Sequence, residues 1–545
     1  MALATENRAA VAAVYDRRTI PSKSCDAFRV PPQSLMNALR LFAFFFCVSS
    51  TALANNASHV VVMVWDGMRP DLVSEKNTPA LWKLAREGVT FRHHHAAYLS
   101  ATVVNGTAIA TGCYPSGSGV FANYIFRPEI NPAKMIDAGE PAVVRKGDEV
   151  SGGKYLARPT IAEILHRAGK RTAIAGTKFV TLLHDRRATP ENDSSRKSDV
   201  LFQGATLPND LIASLSSMLG PFPGIDDQGA DHWTTRALID GLWKDGVPEY
   251  SLLWLRDPDH MQHKTAPGSP ASLAAMRRAD NCLAEIRSAV DKRKLRESTD
   301  IFVVSDHGFS TIERSIDLLP LLERAGFRAF KEFTKAPHDG EIMVVGNGGS
   351  VLFYVIGHDT AVVQRLVIWL QQSDFAGVIF SRDQIDGTFP LATAKIDTPT
   401  APDVVMSFRW NDKPNEFGVP GMIDADWNRK PGAGTHATLS KFDMTNTLIA
   451  TGPDFRRDMM DQLPSGNIDL APTVLHILEV APREKMDGRV LSEAMIGGKA
   501  SASETRTIVA SRDFDRGSWR QYLKISKVES TLYFDEGNGR ITDNN

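Results

Sequence analysis

His59-Val60-Val61-Val62-Met63-Val64-Trp65, closed by Asp66-Gly67, is the stretch that decides the fold. After His59 the run has no polar break and no alternation, which suits a strand buried on both faces of a parallel sheet. The same kind of unit recurs down the chain. Helix-like segments follow at 79–87 and 159–168, the latter leading into a short strand at 172–175. Another strand, 251–255, ends in Arg256-Asp257-Pro258-Asp259. Ser269-Pro270 supplies a helix cap and a first-turn proline, and Leu273, Met276, Leu283, Ile286 and Val290 then recur at helical spacing. A strand at 300–304 ends at Ser305-Asp306-His307-Gly308. Strand, polar residue at its carboxyl end, helix: the repetition predicts an α/β fold with a doubly wound, mostly parallel central sheet and helices on both faces. Sites in such sheets lie outside the carboxyl ends of strands. The stretches 179–243 and 310–428 are richer in Gly, Pro and Asp and read as insertions capping that edge. Residues 519–528 and 530–534 read as a closing β-hairpin.

The chain has 545 residues, 43% apolar and 23% charged, enough for a large core. At about 150 residues per domain that is three or four units, although large α/β enzymes often keep one sheet. Lys and Arg number 62 against 64 Asp and Glu, a net charge of −2. No global field draws the chain to nucleic acid or to an anionic membrane, so coating nucleic acid is excluded as a role. Four cysteines can form neither a disulfide framework nor a Cys-rich zinc module.

Residues 36–54 carry Arg40, an apolar run at 41–48 and Ala52-Leu53-Ala54, the pattern of a secretory signal with a small-residue cleavage site. The run is well short of the ~20 residues of a stable membrane span. Residues 1–54 are therefore expected to be an N-terminal extension and signal peptide, with translation starting at Met36. Residues 55–545 are expected to be the folded domain, periplasmic or secreted. Cleavage removes Cys25 and Cys47. Cys113 and Cys282 remain, either paired or buried as separate thiols.

The chemistry is expected at the strand ends. Asp66, the pair Asp259 and His263, the pair Asp306 and His307, and His436 in Gly434-Thr435-His436 combine metal-ligand types with tight local geometry. Three Asp and three His suit zinc better than calcium, which prefers oxygen shells. Taken singly, each has an ordinary explanation as a helix cap, a turn former or a solvated imidazole; together they are stronger. Asp259 and His263 share a helical face if their loop turns, and Asp306 and His307 are both ligands only where a bend splays them. The triple His93-His94-His95 lies on a strand-like segment whose side chains alternate in direction, so at most two could share an ion. It reads as a structural or supporting feature. Thr102 is the nucleophile candidate. Ser100 or Thr102 would begin a helix running through Ile109 to a stop at Gly112, facing an anion with hydroxyl and amide groups. A plain helix cap is the ordinary alternative. A threonine hydroxyl is a poor nucleophile unless a metal makes its alkoxide accessible.

The ordered set Trp65-Asp66-Gly67, Thr102-x-x-Asn105 with Thr111-Gly112-x-Tyr114-Pro115, Asp259-x-x-x-His263, Ser305-Asp306-His307-Gly308 and Gly434-x-His436 resembles the alkaline phosphatase superfamily. Within it the set is most similar to the type I phosphodiesterase/nucleotide pyrophosphatase branch, over about residues 59–482. The resemblance implies a secreted, zinc-dependent phosphodiesterase acting through a phosphothreonine. It also implies two zinc ions per chain, one held by Asp66, Asp306 and His307 and activating Thr102, the other held by Asp259, His263 and His436. Asn123 matches an asparagine that holds a phosphoryl oxygen, while Asn105 would support the nucleophile turn. Relatives that cleave nucleotides place an aromatic directly after the threonine, where this chain has Val103. Relatives that cleave monoesters or phosphonates carry a Lys-x-basic pair, of which Lys178 stands alone, weakly favouring a singly charged diester. The expected partner is a small phosphate ester: a nucleotide, a lipid head group or an alkyl diester. Two other readings stand beside it. One is a phosphomonoesterase or phosphonate hydrolase with the same metal pair; the other is a metal-free binding protein that kept the fold.

Overall fold

The structure is a computed structural model and describes residues 56–186, 198–515 and 517–542. The proposed signal peptide, with Cys25 and Cys47, lies outside the described residues. Among those described, no helix is long and apolar enough to cross a membrane.

The central sheet has nine strands: β1 (His59–Trp65), β2 (Val89–His95), β3 (Thr172–Gly176), β4 (Ser198–Phe202), β5 (Ala205–Leu207), β6 (Tyr250–Leu255), β7 (Thr299–Val304), β8 (Leu448–Thr451) and β9 (Met459–Gly466). Their spatial order is β9-β2-β8-β7-β1-β6-β3-β4-β5. The block β7-β1-β6-β3-β4 is parallel throughout. β8 runs antiparallel to both neighbours and β5 closes the far edge antiparallel to β4.

The opening apolar run explains why β1 sits in the middle. Val60, Val62 and Val64 enter one core layer. That layer also takes Val104 and Ile109 from the helix Thr102–Thr111, Leu165 from Ile161–Arg167 and Val474 from Leu470–Ile477. Val61, Met63 and Trp65 enter the opposite layer, against Leu81 and Leu84 of Pro79–Glu87 and Met276, Leu283 and Ile286 of Pro270–Lys292. Period-two side-chain direction makes a uniformly apolar strand serve two layers.

The regions expected as cap insertions are more regular than their composition suggests. Residues 198–207 are β4 and β5, the edge of the central sheet itself, and Ala230–Arg236 packs on the layer below. Within 310–428 lies a six-stranded sheet. Met343, Val345, Leu352 and Val405 face the main core, while Val344, Val351 and Phe353 face the helices Leu318–Arg324 and Thr360–Gln371. A smaller four-stranded sheet pairs Ser310–Ile316 with Pro420–Asp426 and with Gly434–Thr435. The closing hairpin is corrected to a three-stranded antiparallel sheet, Ser503–Phe514, Gly517–Val528 and Thr531–Thr542. The first of these strands is largely exposed, which is why the apolar pattern hid it. Cys113 and Cys282 are both free and buried, so they do not pair.

Candidate active site

The residues singled out in the sequence meet at the carboxyl ends of β1, β6 and β7. Asp66 follows β1. Gly67, in the left-handed region at φ +70°, turns the chain at once, and its amide donates to Asp306 Oδ1 at 3.0 Å. Asp259 and His263 occupy one face of the short helix Asp259–Thr265, with His263 Nε2 3.2 Å from Asp259 Oδ1. Asp306 and His307 follow β7. There Gly308 is required, because a Cβ on it would lie 2.0 Å from the Phe442 carbonyl oxygen. His436 arrives through the ladder that pairs Ser310 with Thr435 and Thr311 with Gly434. Its ring stacks on that of His307 at 3.7 Å between centroids.

The three imidazoles share one arrangement. Nδ1 of His263 faces the Gly434 carbonyl at 3.0 Å, Nδ1 of His307 that of Gly308 at 2.9 Å, and Nδ1 of His436 that of Ser100 at 2.9 Å. A carbonyl oxygen can only accept, so each Nδ1 carries the proton and each Nε2 turns a lone pair inward. Burial lowers the pKa of His263 against the opposing Asp259 carboxylate, with Arg429 helping, and burial beside the His307 and His263 imidazoles holds that of His436 well below the usual value, which keeps both neutral.

What those lone pairs face is more lone pairs. His307 Nε2 lies 3.3 Å from Asp306 Oδ2 and 3.6 Å from Asp66 Oδ1, and His436 Nε2 lies 3.6 Å from Asp259 Oδ1. Those three carboxylate oxygens are buried without a hydrogen-bond donor. Acceptors turned on acceptors in a dry site are costly unless a cation lies between them. Two triplets, Asp259-His263-His436 and Asp66-Asp259-His307, each offer atoms within 4.8 Å of one another, and Asp306 stands beside the second. The donor set fits divalent metal of the zinc type.

Thr102 is the first residue of its helix. Its hydroxyl is not spent on a cap, since the cap position is Ala101. Instead Oγ1 lies 3.2 Å from His307 Nε2. Asn105 Nδ2 donates to the carbonyls of Ala97, Leu99 and Ala101 and so ties the turn that presents Thr102. Asn123 Oδ1 accepts from the Val103 amide at 2.8 Å, leaving its Nδ2 group for another acceptor. Lys178, just past β3, is not a surface residue: Nζ lies 2.9 Å from Asp66 Oδ2 and 2.8 Å from Asp259 Oδ2. Burial works to lower its pKa, but the carboxylates of Asp259 and Asp66 outweigh that and raise it, so it stays charged. A cavity of about 310 Å³ opens onto Thr102, Asn123, Lys178, Asp259, His263 and His436.

Sequence reasoning missed the residues that hold this set. Trp254 Nε1 donates to Asp66 Oδ2 at 2.8 Å. Asn467 Nδ2 donates both to Asn105 Oδ1 at 3.0 Å and to the Asp306 carbonyl at 2.6 Å, bridging the turn of Thr102 and the turn of Asp306. His94 Nε2 donates to Asn467 Oδ1 at 3.0 Å, while His95 pairs with Asp535 at 3.1 Å and His93 is exposed. Of the triple read as a structural or supporting feature, His94 is the one that supports this set.

The sequence model described as type I phosphodiesterase / nucleotide pyrophosphatase matches residues 60–411. Ectonucleotide pyrophosphatase/phosphodiesterase family member 7 of Rattus norvegicus is 21% identical over 470 residues, 85% of this chain and 93% of that protein. Venom phosphodiesterase 2 of Crotalus adamanteus is 23% identical over 272 residues, 49% of this chain and 29% of its own length. Among solved structures, murine ectonucleotide pyrophosphatase/phosphodiesterase 5, an inactive variant in complex with AMP, superposes with a TM-score of 0.54 at 16% identity, covering 78% of this chain and 96% of that one. That likeness shows the fold. With the family model matching well over half of the residues, the chain belongs to the type I phosphodiesterase/nucleotide pyrophosphatase family of phosphoric ester hydrolases.

Proposed function

We propose that this enzyme is an extracytoplasmic phosphodiesterase that works through a covalent phosphothreonine on Thr102, with residues 55–545 as its catalytic domain. The observation that carries the reading is the meeting of two sets of inward lone pairs beside an uncapped hydroxyl. Asp66, Asp306 and His307 would hold one zinc ion, with Thr102 beside it, and Asp259, His263 and His436 the other. Bound there, the pair would supply Lewis acidity and lower the pKa of the threonine hydroxyl.

The chain's own groups do the rest. Thr102 Oγ1 attacks phosphorus, a P–O ester bond breaks with its electron pair leaving on the departing oxygen, and the hydroxyl proton passes to solvent. Water then displaces phosphorus from Thr102 in a second step. Asn123 Nδ2 and the amides at the start of the helix Thr102–Thr111 donate to the non-bridging oxygens, where negative charge builds. Lys178 adds one fixed cation in a site that burial keeps at low dielectric. A diester monoanion matches a single lysine better than a monoester dianion does. The AMP bound by the murine relative supports small nucleotides as substrates. The leader-like segment 36–54 supports export.

Rates on bis-p-nitrophenyl phosphate and p-nitrophenyl phosphate test the reading. The diester is expected to be turned over faster; equal or reversed rates would replace the diesterase assignment with a monoesterase.

A further inference from the structure

The cavity over Thr102 does not end at the metal-ligand set. Beyond His263 it meets a second, more open cavity of about 590 Å³, and two residues line both: His263 and Arg429. The outer cavity is also lined by Lys264, Lys430 and one carboxylate residue, Glu416. Lys264 is paired with Asp226 at 3.2 Å. Arg429 is different. The residue is half-buried and its guanidinium makes no hydrogen bond or ion pair among the described residues, though its charge bears on His263, Tyr124 and Asp426. The Asp426 carboxylate that could have neutralised it is committed elsewhere. It accepts from the Gly348 amide at 2.8 Å, from the Asn428 amide at 2.9 Å and from Asn428 Nδ2 at 2.8 Å. A guanidinium presents a planar fork of donors matched to phosphate oxygens, and an unmatched one at a junction of cavities marks where an anion belongs.

The direction of the reaction says which part of the substrate would reach it. Thr102 attacks from the His307 side. In-line displacement sends the departing oxygen away from Thr102, toward Asp259, His263 and His436, and so toward Arg429. We propose that Arg429 is a specificity-determining residue that selects substrates whose leaving group carries a phosphate of its own. This rests on the phosphodiesterase reading above. In the step it serves, the Thr102 Oγ1–P bond forms as the P–O bond to the leaving group breaks. The freed electron pair stays on the departing oxygen, adding charge to a group already anionic, and the threonine proton passes to solvent. Arg429 therefore faces more negative charge in the transition state than in the bound substrate.

Two substrates that share the transferred group isolate the effect: thymidine 5′-triphosphate, which loses diphosphate, and the p-nitrophenyl ester of thymidine 5′-phosphate, which loses a neutral-bodied phenolate. With the zinc-loaded enzyme, R429Q is expected to lower the ratio of kcat/KM for triphosphate over ester by about tenfold or more, and R429K to keep most of it. Rising salt should erode the wild-type ratio and leave that of R429Q nearly level. A ratio in R429Q within about twofold of wild type would overturn the assignment. So would a wild-type enzyme that cleaves the ester and ignores the triphosphate, while leaving the phosphodiesterase reading intact. Failure of the wild type on both substrates while bis-p-nitrophenyl phosphate is still cleaved would overturn this assignment alone, and failure on all three would overturn the phosphodiesterase reading with it.

Discussion

Thr102 Oγ1 sits 3.2 Å from Nε2 of His307, whose other ring nitrogen is committed to the Gly308 carbonyl. The hydroxyl is therefore the donor in that contact, and its oxygen lone pairs face the cavity. Thr102→Ala removes the hydroxyl and a methyl group and nothing that holds the helix, because Asn105 carries the turn. Turnover of bis-p-nitrophenyl phosphate is expected to fall by on the order of 10³-fold or more with bound zinc unchanged. Activity within about tenfold of wild type would move the nucleophile to another residue.

Asp259 belongs to both triplets, but one keeps Asp66 and His307 with Asp306 beside them, while the other is left with His263 and His436 alone, so losing Asp259 should empty the second and spare the first. Metal analysis of purified Asp259→Ala is expected to give about one zinc per chain in place of two, with activity lost. Two ions retained would reassign this ligand.

Asn467 is the link between the turn of Thr102 and the turn of Asp306. In Asn467→Leu the Asp306 carbonyl and Asn105 Oδ1 each lose a donor in a buried site. Supporting partners of this kind are worth about 10–100-fold in activity. The decrease is expected in kcat, with KM for bis-p-nitrophenyl phosphate little changed; an equal loss through KM alone would place Asn467 in substrate binding.

His184 lies buried against Trp254, and burial lowers its pKa to about 3. An unfolded chain returns it to about 6.5. Between those values the unfolded state holds more protons than the native one, so stability is full above pH about 6.5 and falls as pH drops toward 3. At pH 5 this one residue should cost on the order of 2 kcal/mol relative to pH 7. Denaturant midpoints of wild type and His184→Gln across pH 5 to 7 measure it, and parallel curves would remove His184 as the source.

The parallel strands and their terminal acids were legible because they are local. An apolar run followed by Asp66-Gly67 or Ser305-Asp306-His307-Gly308 carries its own punctuation. The strand Ser198–Phe202 was not, since Ser198 and Asp199 break any apolar run and its stability comes from pairing with β3 on one side and β5 on the other. The strands Ile342–Gly346 and Ser350–Val355 are buried throughout and mostly apolar, but the turn-rich composition around them obscured a second sheet. Lys178 illustrates the same limit at the site. Its neighbours Asp66 and Asp259 lie far away in the chain, so nothing in Gly176-Thr177-Lys178 announces a buried cation. Trp254 and Asn467 act through single hydrogen bonds to partners of that kind, and such bonds leave no periodic trace.

The short ladder of Ser310 with Thr435 and Thr311 with Gly434 works as a buckle. A long excursion of chain leaves the reaction centre at one strand and returns at its neighbour, with both ends clasped to each other. Whatever is lengthened, shortened or exchanged inside that excursion, His436 is delivered to the same spot. The enzyme can thus be refitted for a different molecule at its entrance while the machinery beneath stays in register.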